Sequence, residues 1–324
     1  MKSTHNIDTA YFPGWTRKSL TFTIDDGNVT YDTKFLNIVR PRGIRGTFNL
    51  CSHIFSALTP EGYRELYRGY EIANHCKFHP IAFDDGMTYY VAEEEFDPMT
   101  SRDHTPDDPV VYASEREGIY RMHHHLHRKK PTGWYWVATD DYYLRYVDEG
   151  KRELEEVFGE GSVRSYVFPC FMPNNAHILA ELAARGYYGL RKTGDVLDTT
   201  GFDMPADRMA WSYNAHNTNL LDTMDKYEKY PDDGKLKFFA FGVHSGDFET
   251  CNNWDVLETF AAKYGSRPDD YYYASVGEIF DYEDANRALI VTDEYVENPS
   301  EVTLYIKVYG ERIVLDPHEK YILS

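Results

Sequence analysis

Short runs of alternating apolar and polar residues recur along the chain, and stretches with helical periodicity separate them. In Ser19–Ile24, Leu20, Phe22 and Ile24 alternate with polar residues, a pattern typical of a half-buried strand. Further strands are predicted at Gly46–Leu50, Tyr70–Ala73, Val163–Phe168, Tyr187–Arg191, Lys237–Val243 and Tyr271–Ser275. Helices are predicted at Thr33–Val39, Pro60–Tyr67, Asp141–Phe158, Asn174–Arg185 and Trp254–Tyr264. This alternation predicts an α/β fold with a parallel sheet, and seven or eight such units favour a closed barrel.

Two regions break the alternation. Residues 81–131 are polar and proline-containing, so they are predicted to be a long insertion carrying one helix at Glu115–His127. Its basic run, His123–Lys130, is interpreted as a solvated face, because three consecutive histidines point in different directions on a helix. Residues 288–324 contain short predicted strands at Leu289–Thr292, Glu301–Val308, Arg312–Leu315 and Lys320–Leu323. The sequence therefore predicts a barrel over residues 1–287 and a small β appendage over residues 288–324.

The charge balance restricts the partners. The chain of 324 residues has 34 Lys and Arg against 53 Asp and Glu, a formal charge of −19. Phosphate backbones and anionic membranes would repel it, so neither nucleic acid nor a membrane is expected as a partner. The start of the chain shows no apolar signal segment, so we expect a cytoplasmic protein, or a secreted one if a leader has been removed. The sequence is compatible with a homo-oligomer.

Two aspartates follow the first predicted strand directly, in Asp25-Asp26-Gly27. The same tripeptide recurs at residues 84–86 and 232–234, and in isolation it is typical of a turn. Only the first copy ends a cleanly alternating strand, which is where parallel α/β folds place their sites. Asp25 and Asp26 are therefore candidate site residues.

Two histidines, His75 and His79, follow the third predicted strand. Their spacing alone is common in unrelated histidines, although four residues apart they can share one face of a helical turn. Together with the two acids they supply the oxygen and nitrogen ligands of an open zinc-type site. Three protein ligands plus a water form the catalytic rather than the structural arrangement.

Three segments together resemble the polysaccharide deacetylase family, the NodB homology group of carbohydrate esterase family 4. In chain order, Thr23–Gly27, His75–His79 and Phe241–His244 are similar to the first, second and last motifs of that family. The resemblance spans residues 19–250 and implies a distorted (β/α) barrel of seven or eight units. It also implies metal-dependent removal of N- or O-linked acetyl groups from sugars.

The resemblance assigns roles to single residues. Asp26, His75 and His79 match the metal ligands. Asp25 matches the general base that activates the metal-bound water, and His244 matches the general acid that protonates the leaving amine. The implied cofactor is a divalent metal, with zinc first and cobalt, nickel or manganese as alternatives.

The chain departs from the second and third motifs. Cys76 stands where the family usually has Ser or Thr, and is read as a buried spacer or as an extra soft ligand. The third motif keeps Pro169, but Val167 occupies its usual arginine position. The arginine that steadies Asp25 must then come from elsewhere, with Arg191 as first candidate and Arg164 as second.

The fourth motif is only loosely present in Asp203–Trp211. Asp207 is a candidate for orienting His244, and Trp211 is a candidate wall of the acetyl pocket. His216 is a further candidate pocket residue.

Three hypotheses for the function are considered. The first is a metal-dependent deacetylase acting on an acetylated sugar or oligosaccharide. The second keeps the barrel and the metal but hydrolyses a small non-sugar amide or imide. The third is a non-catalytic carbohydrate-binding protein, against which the joint presence of a base and an acid argues.

Overall fold

The computed structural model describes residues 6–77, 79, 140–170, 172–192 and 201–323, together with the backbone of five strands between residues 88 and 137. The strands are β1 (Ile7–Tyr11), β2 (Lys18–Asp26), β3 (Thr47–Leu50), β4 (Glu71–Asn74), β5 (Thr88–Ala92), β6 (Val111–Arg116), β7 (Ile119–Met122), β8 (His125–His127), β9 (Trp134–Val137), β10 (Ser165–Val167), β11 (Gly189–Arg191), β12 (Lys237–His244), β13 (Tyr272–Tyr273), β14 (Ile290–Val291), β15 (Tyr295–Glu297), β16 (Leu304–Val308), β17 (Glu311–Leu315) and β18 (Lys320–Ile322). The helices are α1 (Val29–Val39), α2 (Pro60–Leu66), α3 (Asp140–Phe158), α4 (Ala176–Ala184), α5 (Leu220–Glu228), α6 (Asp247–Thr250), α7 (Trp254–Tyr264) and α8 (Val276–Arg287). Among these described helices, none has both the length and the apolar character that crossing a bilayer requires.

Six parallel strands form the wall of the barrel, in the order β11-β10-β4-β3-β2-β12. Strand β13 adds two residues beside the start of β2. Seven of the nine residues of β2 and seven of the eight of β12 are buried, as expected for a parallel sheet covered on both faces. The predicted parallel arrangement is confirmed, because every neighbouring pair in this order is parallel.

An irregular segment, residues 211–215, fills the gap between β11 and β12. Trp211 bridges Arg191 of β11, and Ala215 bridges Phe241 of β12, both in parallel. Gly242 allows this approach, because a Cβ there would lie 2.3 Å from the ring of Tyr213. The apolar pattern predicts no strand over these residues. Because residues 211–215 pair with β11 and β12 only through isolated bridges, the barrel is distorted at this point.

Aromatic side chains build the core between the sheet and the helices. The ring of Phe22 lies 4.9 Å from that of Phe35, 5.4 Å from Phe48 and 5.9 Å from Phe241, measured between centroids. Such pairs contribute about 0.5–1.5 kcal/mol each beyond their buried area. These contacts anchor helix α1 against β2, β3 and β12, and thereby fix the strand ends described below.

The predicted helix at Glu115–His127 is wrong. The described residues there form β6, β7 and β8 of an antiparallel five-stranded sheet with the order β8-β7-β6-β5-β9. Val111 and Tyr112 of β6 and Ile119 and Tyr120 of β7 favour strands, and that preference prevails over the helical reading. Of the basic run, His123, His124 and Arg128–Lys130 lie outside the described residues.

The predicted short C-terminal strands are confirmed. They are β14, β16, β17 and β18, and together with β1 and the unpredicted β15 they form two antiparallel three-stranded sheets, β1-β16-β17 and β14-β15-β18. Val296, Leu304 and Ile306 are fully buried in one cluster with Phe280 of α8. Strand β1, which was not predicted, ties the beginning of the chain into this unit.

Candidate active site

The carboxyl ends of β2, β4 and β12 bring the predicted chemistry to one edge of the barrel. Asp25 and Asp26 end β2, and His75 directly follows β4. Strand β12 ends at His244, which is in parallel register with Asp25. Because the carboxyl ends of parallel strands share an edge, residues far apart in sequence meet here.

Asp26, His75 and His79 converge on one point. Oδ1 of Asp26 lies 3.5 Å from Nε2 of His75 and 3.5 Å from Nε2 of His79. All three candidate ligand atoms lie within 4.8 Å of one another. Ligands at about 2.0–2.2 Å from a tetrahedral ion lie about 3.4 Å apart, so these spacings suit a zinc-sized cation.

The contacts around these atoms test whether a cation fits. Oδ1 of Asp26 is buried and has no hydrogen-bond partner among the described residues. His75 is buried, and its Nδ1 lies 2.8 Å from the carbonyl oxygen of Val167. Donation from Nδ1 to that oxygen leaves Nε2 unprotonated and facing Asp26, as a metal ligand requires. The donor set of two imidazoles and one carboxylate therefore fits a divalent cation.

The backbone at this edge is strained. Asp26, Cys76, His79 and Cys170 all have left-handed φ angles, of +73°, +67°, +60° and +64° respectively. Non-glycine residues with such φ angles cost about 1–3 kcal/mol each and concentrate at functional sites.

Cys76 is buried, and its sulfur does not belong to the group of candidate ligand atoms, which agrees with its interpretation as a spacer.

Asp25 is held from two sides. Nη2 of Arg191 donates to its Oδ2 at 2.5 Å, and Nδ2 of Asn49 donates to its Oδ1 at 2.7 Å. Arg191 also donates from Nη1 to Oγ1 of Thr23 at 2.8 Å. Burial raises the pKa of Asp25, but the opposing effect of the Arg191 charge, together with that of His244, lowers it below its ordinary value. Asp25 is therefore an ionised, positioned carboxylate beside the candidate metal ligands.

His244 approaches Asp26 from the neighbouring strand, β12. Its Nε2 lies 3.8 Å from Oδ2 of Asp26, and its Nδ1 lies 3.0 Å from Oδ2 of Asp247. Burial lowers the pKa of His244, but the hydrogen bond to Asp247 and the charges of Asp26 and Asp25 together raise it to about 10. A cation bound by Asp26 would oppose part of this rise. His244 is thus placed and charged as a proton donor.

Asp247, and not Asp207, is the carboxylate beside His244. It also accepts from the backbone N of His244 at 3.1 Å and lies 3.7 Å from Nε2 of His216. Asp207 instead caps a short turn, where its Oδ1 accepts from the backbone N of Met209 at 2.8 Å. The spacing His-x-x-Asp could have revealed Asp247, because residues three apart face one another when a turn follows a strand.

The remaining predicted residues are Trp211, Pro169 and the two candidate arginines, Arg164 and Arg191. Trp211 is 5% exposed and packs against Phe238 and Phe280, so it is a core residue rather than a pocket wall. Pro169 is buried two residues beyond the carbonyl that orients His75. Arg164 pairs with Asp281 on the surface, which leaves Arg191 as the arginine at Asp25.

This arrangement combines three chemical elements in one place. A cation-sized cluster of donors lies at the same strand ends as an ionised carboxylate, Asp25, and a protonated imidazole, His244. Such a site can deprotonate a nucleophile and protonate a leaving group.

Comparison with known proteins places the chain among deacetylases. Residues 14–189 match the family model described as polysaccharide deacetylase. No curated protein matches the sequence. A solved structure from Mycobacterium smegmatis, described as a polysaccharide deacetylase, is similar over 86% of this chain and 94% of its own, with 14% identity and a TM-score of 0.53.

Two further solved structures are similar at a TM-score of 0.43 each. The Xyl-CE4 domain of a xylanase from the hindgut metagenome of Trinervitermes trinervoides has 12% identity and covers 83% of this chain and 92% of its own. The peptidoglycan deacetylase PdaC from Bacillus subtilis has 11% identity and covers 84% of this chain and 94% of its own.

Proposed function

The chain belongs to the polysaccharide deacetylase family, and on that premise we propose that it is a metal-dependent hydrolase that removes acetyl groups from N-acetylated sugars or oligosaccharides. The family match covers more than half of the chain and identifies a hydrolase of the deacetylase type. Beyond this family assignment, we propose the metal, the sugar substrate and the role of each residue.

One observation carries the proposal. Three candidate ligand atoms, on Asp26, His75 and His79, lie within 4.8 Å of one another, and Oδ1 of Asp26 is buried without a hydrogen-bond partner among the described residues. A structural ion pair would need a hydrogen bond to that oxygen, because an unsatisfied buried polar atom costs about 1–3 kcal/mol. A divalent cation held by these residues, with zinc as our first expectation, would polarise the acetyl carbonyl and make the attacking water more acidic.

Asp25 acts as the general base in this proposal. Its carboxylate accepts a proton from the water that attacks the acetyl carbonyl. Both of its oxygens already accept a hydrogen bond, from Arg191 and Asn49, which fixes the direction in which the remaining lone pairs point. The lowered pKa keeps Asp25 ionised across the neutral range.

His244 acts as the general acid. Asp247 accepts from Nδ1 and so directs Nε2 toward Asp26 and the reacting centre. Because the raised pKa keeps the imidazole protonated at neutral pH, Nε2 can donate a proton to the leaving nitrogen. Without that proton the amine would leave as an unstable anion.

Acetate release from a panel of substrates tests the proposal. The panel contains N-acetylglucosamine oligosaccharides, an O-acetylated xylan and small amides and imides. We expect the N-acetylated oligosaccharides to give the highest kcat/KM. Turnover of the small amides alone would replace the sugar substrate with the second function considered above, and no turnover of any member would contradict the proposal.

A further inference from the structure

The loop that joins the two candidate histidine ligands rests on the face of helix α3. At the start of this loop, the backbone N of Cys76 donates to Oδ1 of Asn74 at 2.9 Å. Nδ2 of Asn74 in turn donates to the carbonyl oxygen of Val147 in α3 at 2.8 Å. The ligand His75 therefore leaves β4 in direct connection with α3.

Gly150 makes the close packing possible. A Cβ on this buried helical residue would lie 2.9 Å from the carbonyl carbon of Cys76, 3.0 Å from the backbone N of Lys77 and 2.8 Å from Oδ1 of Asn74. Two of these neighbours are backbone atoms of the ligand loop, so they can yield only if the loop itself moves. Glycine weakens a helix interior relative to alanine, and the loop contact explains its presence here.

Lys77 fastens the same loop through charge. Its Nζ lies 3.2 Å from Oε2 of Glu149 and 3.0 Å from Oε1 of Glu153, on the two sides of Gly150 along α3. All three side chains are only 21–27% exposed, so solvent screens these pairs less than ordinary surface pairs. Oε2 of Glu153 also accepts from Oγ of Ser52, at 2.5 Å.

The opposite side of the loop is held by the turn after β3. The backbone N of His53 donates to the carbonyl oxygen of Lys77 at 3.2 Å, and the backbone N of Ser52 donates to that of Cys76 at 3.3 Å. Cys76 and Lys77 are therefore held both by this turn and by α3. Its strained φ angles at Cys76 and His79 would relax if either side were released.

We propose that Gly150, Glu149 and Glu153 of α3, together with Lys77, form a positioning platform that sets the metal affinity of the His75–His79 loop. Lys77 and the α3 residues do not touch the metal; they hold the two imidazoles at the separation that one cation needs. The inference rests on the proposed metal site.

The experiment measures the zinc dissociation constant of metal-stripped full-length protein by competition with a chromophoric chelator. We expect Gly150→Ala to bind zinc at least 10-fold more weakly, although alanine is the better helix former. We expect Lys77→Met to bind zinc at least 3-fold more weakly, and Glu153→Gln to add little once Lys77 is replaced. Far-UV circular dichroism verifies that each variant is folded.

Two matched controls separate the platform from general effects of substitution. Gly62→Ala changes another helical glycine, where the nearest contact of the new Cβ is a side-chain carbon at 3.2 Å. Lys263→Met removes a lysine paired with Asp225 away from the loop. Both controls should bind zinc within twofold of the wild type.

The outcomes distinguish this inference from the proposed function. If the wild type binds zinc and folded Gly150→Ala and Lys77→Met bind it within twofold of the wild type, the platform is refuted while the metal site stands. If Gly150→Ala does not fold, the Lys77→Met value decides alone. If the wild type binds none of zinc, cobalt, nickel and manganese, the proposed function fails, and this inference fails with it.

Discussion

Arg191 and Asp25 form a buried ion pair across the interior of the barrel. Nη2 of Arg191 lies 2.5 Å from Oδ2 of Asp25, and the arginine side chain is 0% exposed. The two residues come from β11 and β2, which are separated by three intervening strands in the sheet. The pair therefore crosses the barrel at the edge that carries the candidate site. Asp25 of β2 is held by Arg191 of β11, although β2 and β11 are not hydrogen-bonded to each other.

Replacing Arg191 by Met should damage both stability and turnover. Breaking a buried pair and leaving one charge alone costs about 3–5 kcal/mol, and loss of base orientation lowers kcat by roughly 100-fold. The pKa of Asp25 rises when Arg191 is removed, because burial is then less opposed. The acid limb of the kcat/KM profile should move to higher pH.

Arg164→Met is the matched control for that change. Arg164 pairs with Asp281 on the surface, where ion pairs contribute about 0–1 kcal/mol. Its pH profile should coincide with that of the wild type. An unmoved acid limb in Arg191→Met would contradict the role given to Arg191.

Asp247→Asn should shift the alkaline limb of the rate profile to lower pH. Asp247 helps to raise the pKa of His244, so its loss lowers the pH at which the imidazole gives up the proton it must donate. We expect Asp207→Asn, which changes a carboxylate that caps a remote turn, to leave the limb in place. Equal shifts in the two variants would show that Asp247 acts only through overall charge.

Asp25→Asn and His79→Ala should separate catalysis from metal binding. Asp25→Asn retains the donor cluster, so we expect it to keep bound zinc while kcat falls by about 10²–10⁴-fold, the contribution of a general base. His79→Ala removes a ligand, so zinc should be lost on desalting. Zinc content by atomic spectroscopy, measured beside acetate release, checks both outcomes; a wild-type rate in Asp25→Asn would remove its assignment as the base.

Asp32 should make folding stability depend on pH. This buried carboxyl of α1 accepts from the hydroxyl of Tyr67 at 2.7 Å. Burial raises its pKa to about 7, against the opposing effects of Ser245 and Tyr67. The folded state therefore holds this proton more tightly than the unfolded state, so its contribution is complete below about pH 4 and is lost as pH rises through about 7.

Asp32→Asn removes that dependence. Between pH 4 and pH 8 the wild type should lose on the order of 4 kcal/mol of unfolding free energy more than the variant. Urea denaturation at several pH values measures the difference. Parallel pH dependences in the two proteins would show that Asp32 does not titrate in this range.

Much of the barrel and part of the site could be predicted from the sequence for one physical reason. Buried parallel strands leave apolar runs, and a site at the carboxyl edge leaves polar residues immediately after those runs. Asp25, Asp26, His75 and His79 are recognisable in this way, whereas His244 is identified only through the resemblance to the deacetylase family. Arg191 was a candidate because it ends a predicted strand.

The features that escaped prediction depend on contacts that one-dimensional patterns do not record. Residues 211–215 close the barrel through isolated bridges, so they carry no strand periodicity. Asp247 is one of 53 acidic residues, and only the turn after β12 brings it to His244. From the sequence alone, Gly150 is only a residue that weakens a helix. Its contact with the backbone of Cys76 and Lys77 is visible only in the structure.

Acetate release from an N-acetylglucosamine oligosaccharide, measured before removal of zinc, after removal and after its return, decides whether this chain is a metal-dependent deacetylase. We expect the chelator-stripped enzyme to lose activity by at least 100-fold and one equivalent of zinc to restore it. Acetate release that is unchanged by complete removal of metal would refute metal-dependent catalysis by this site.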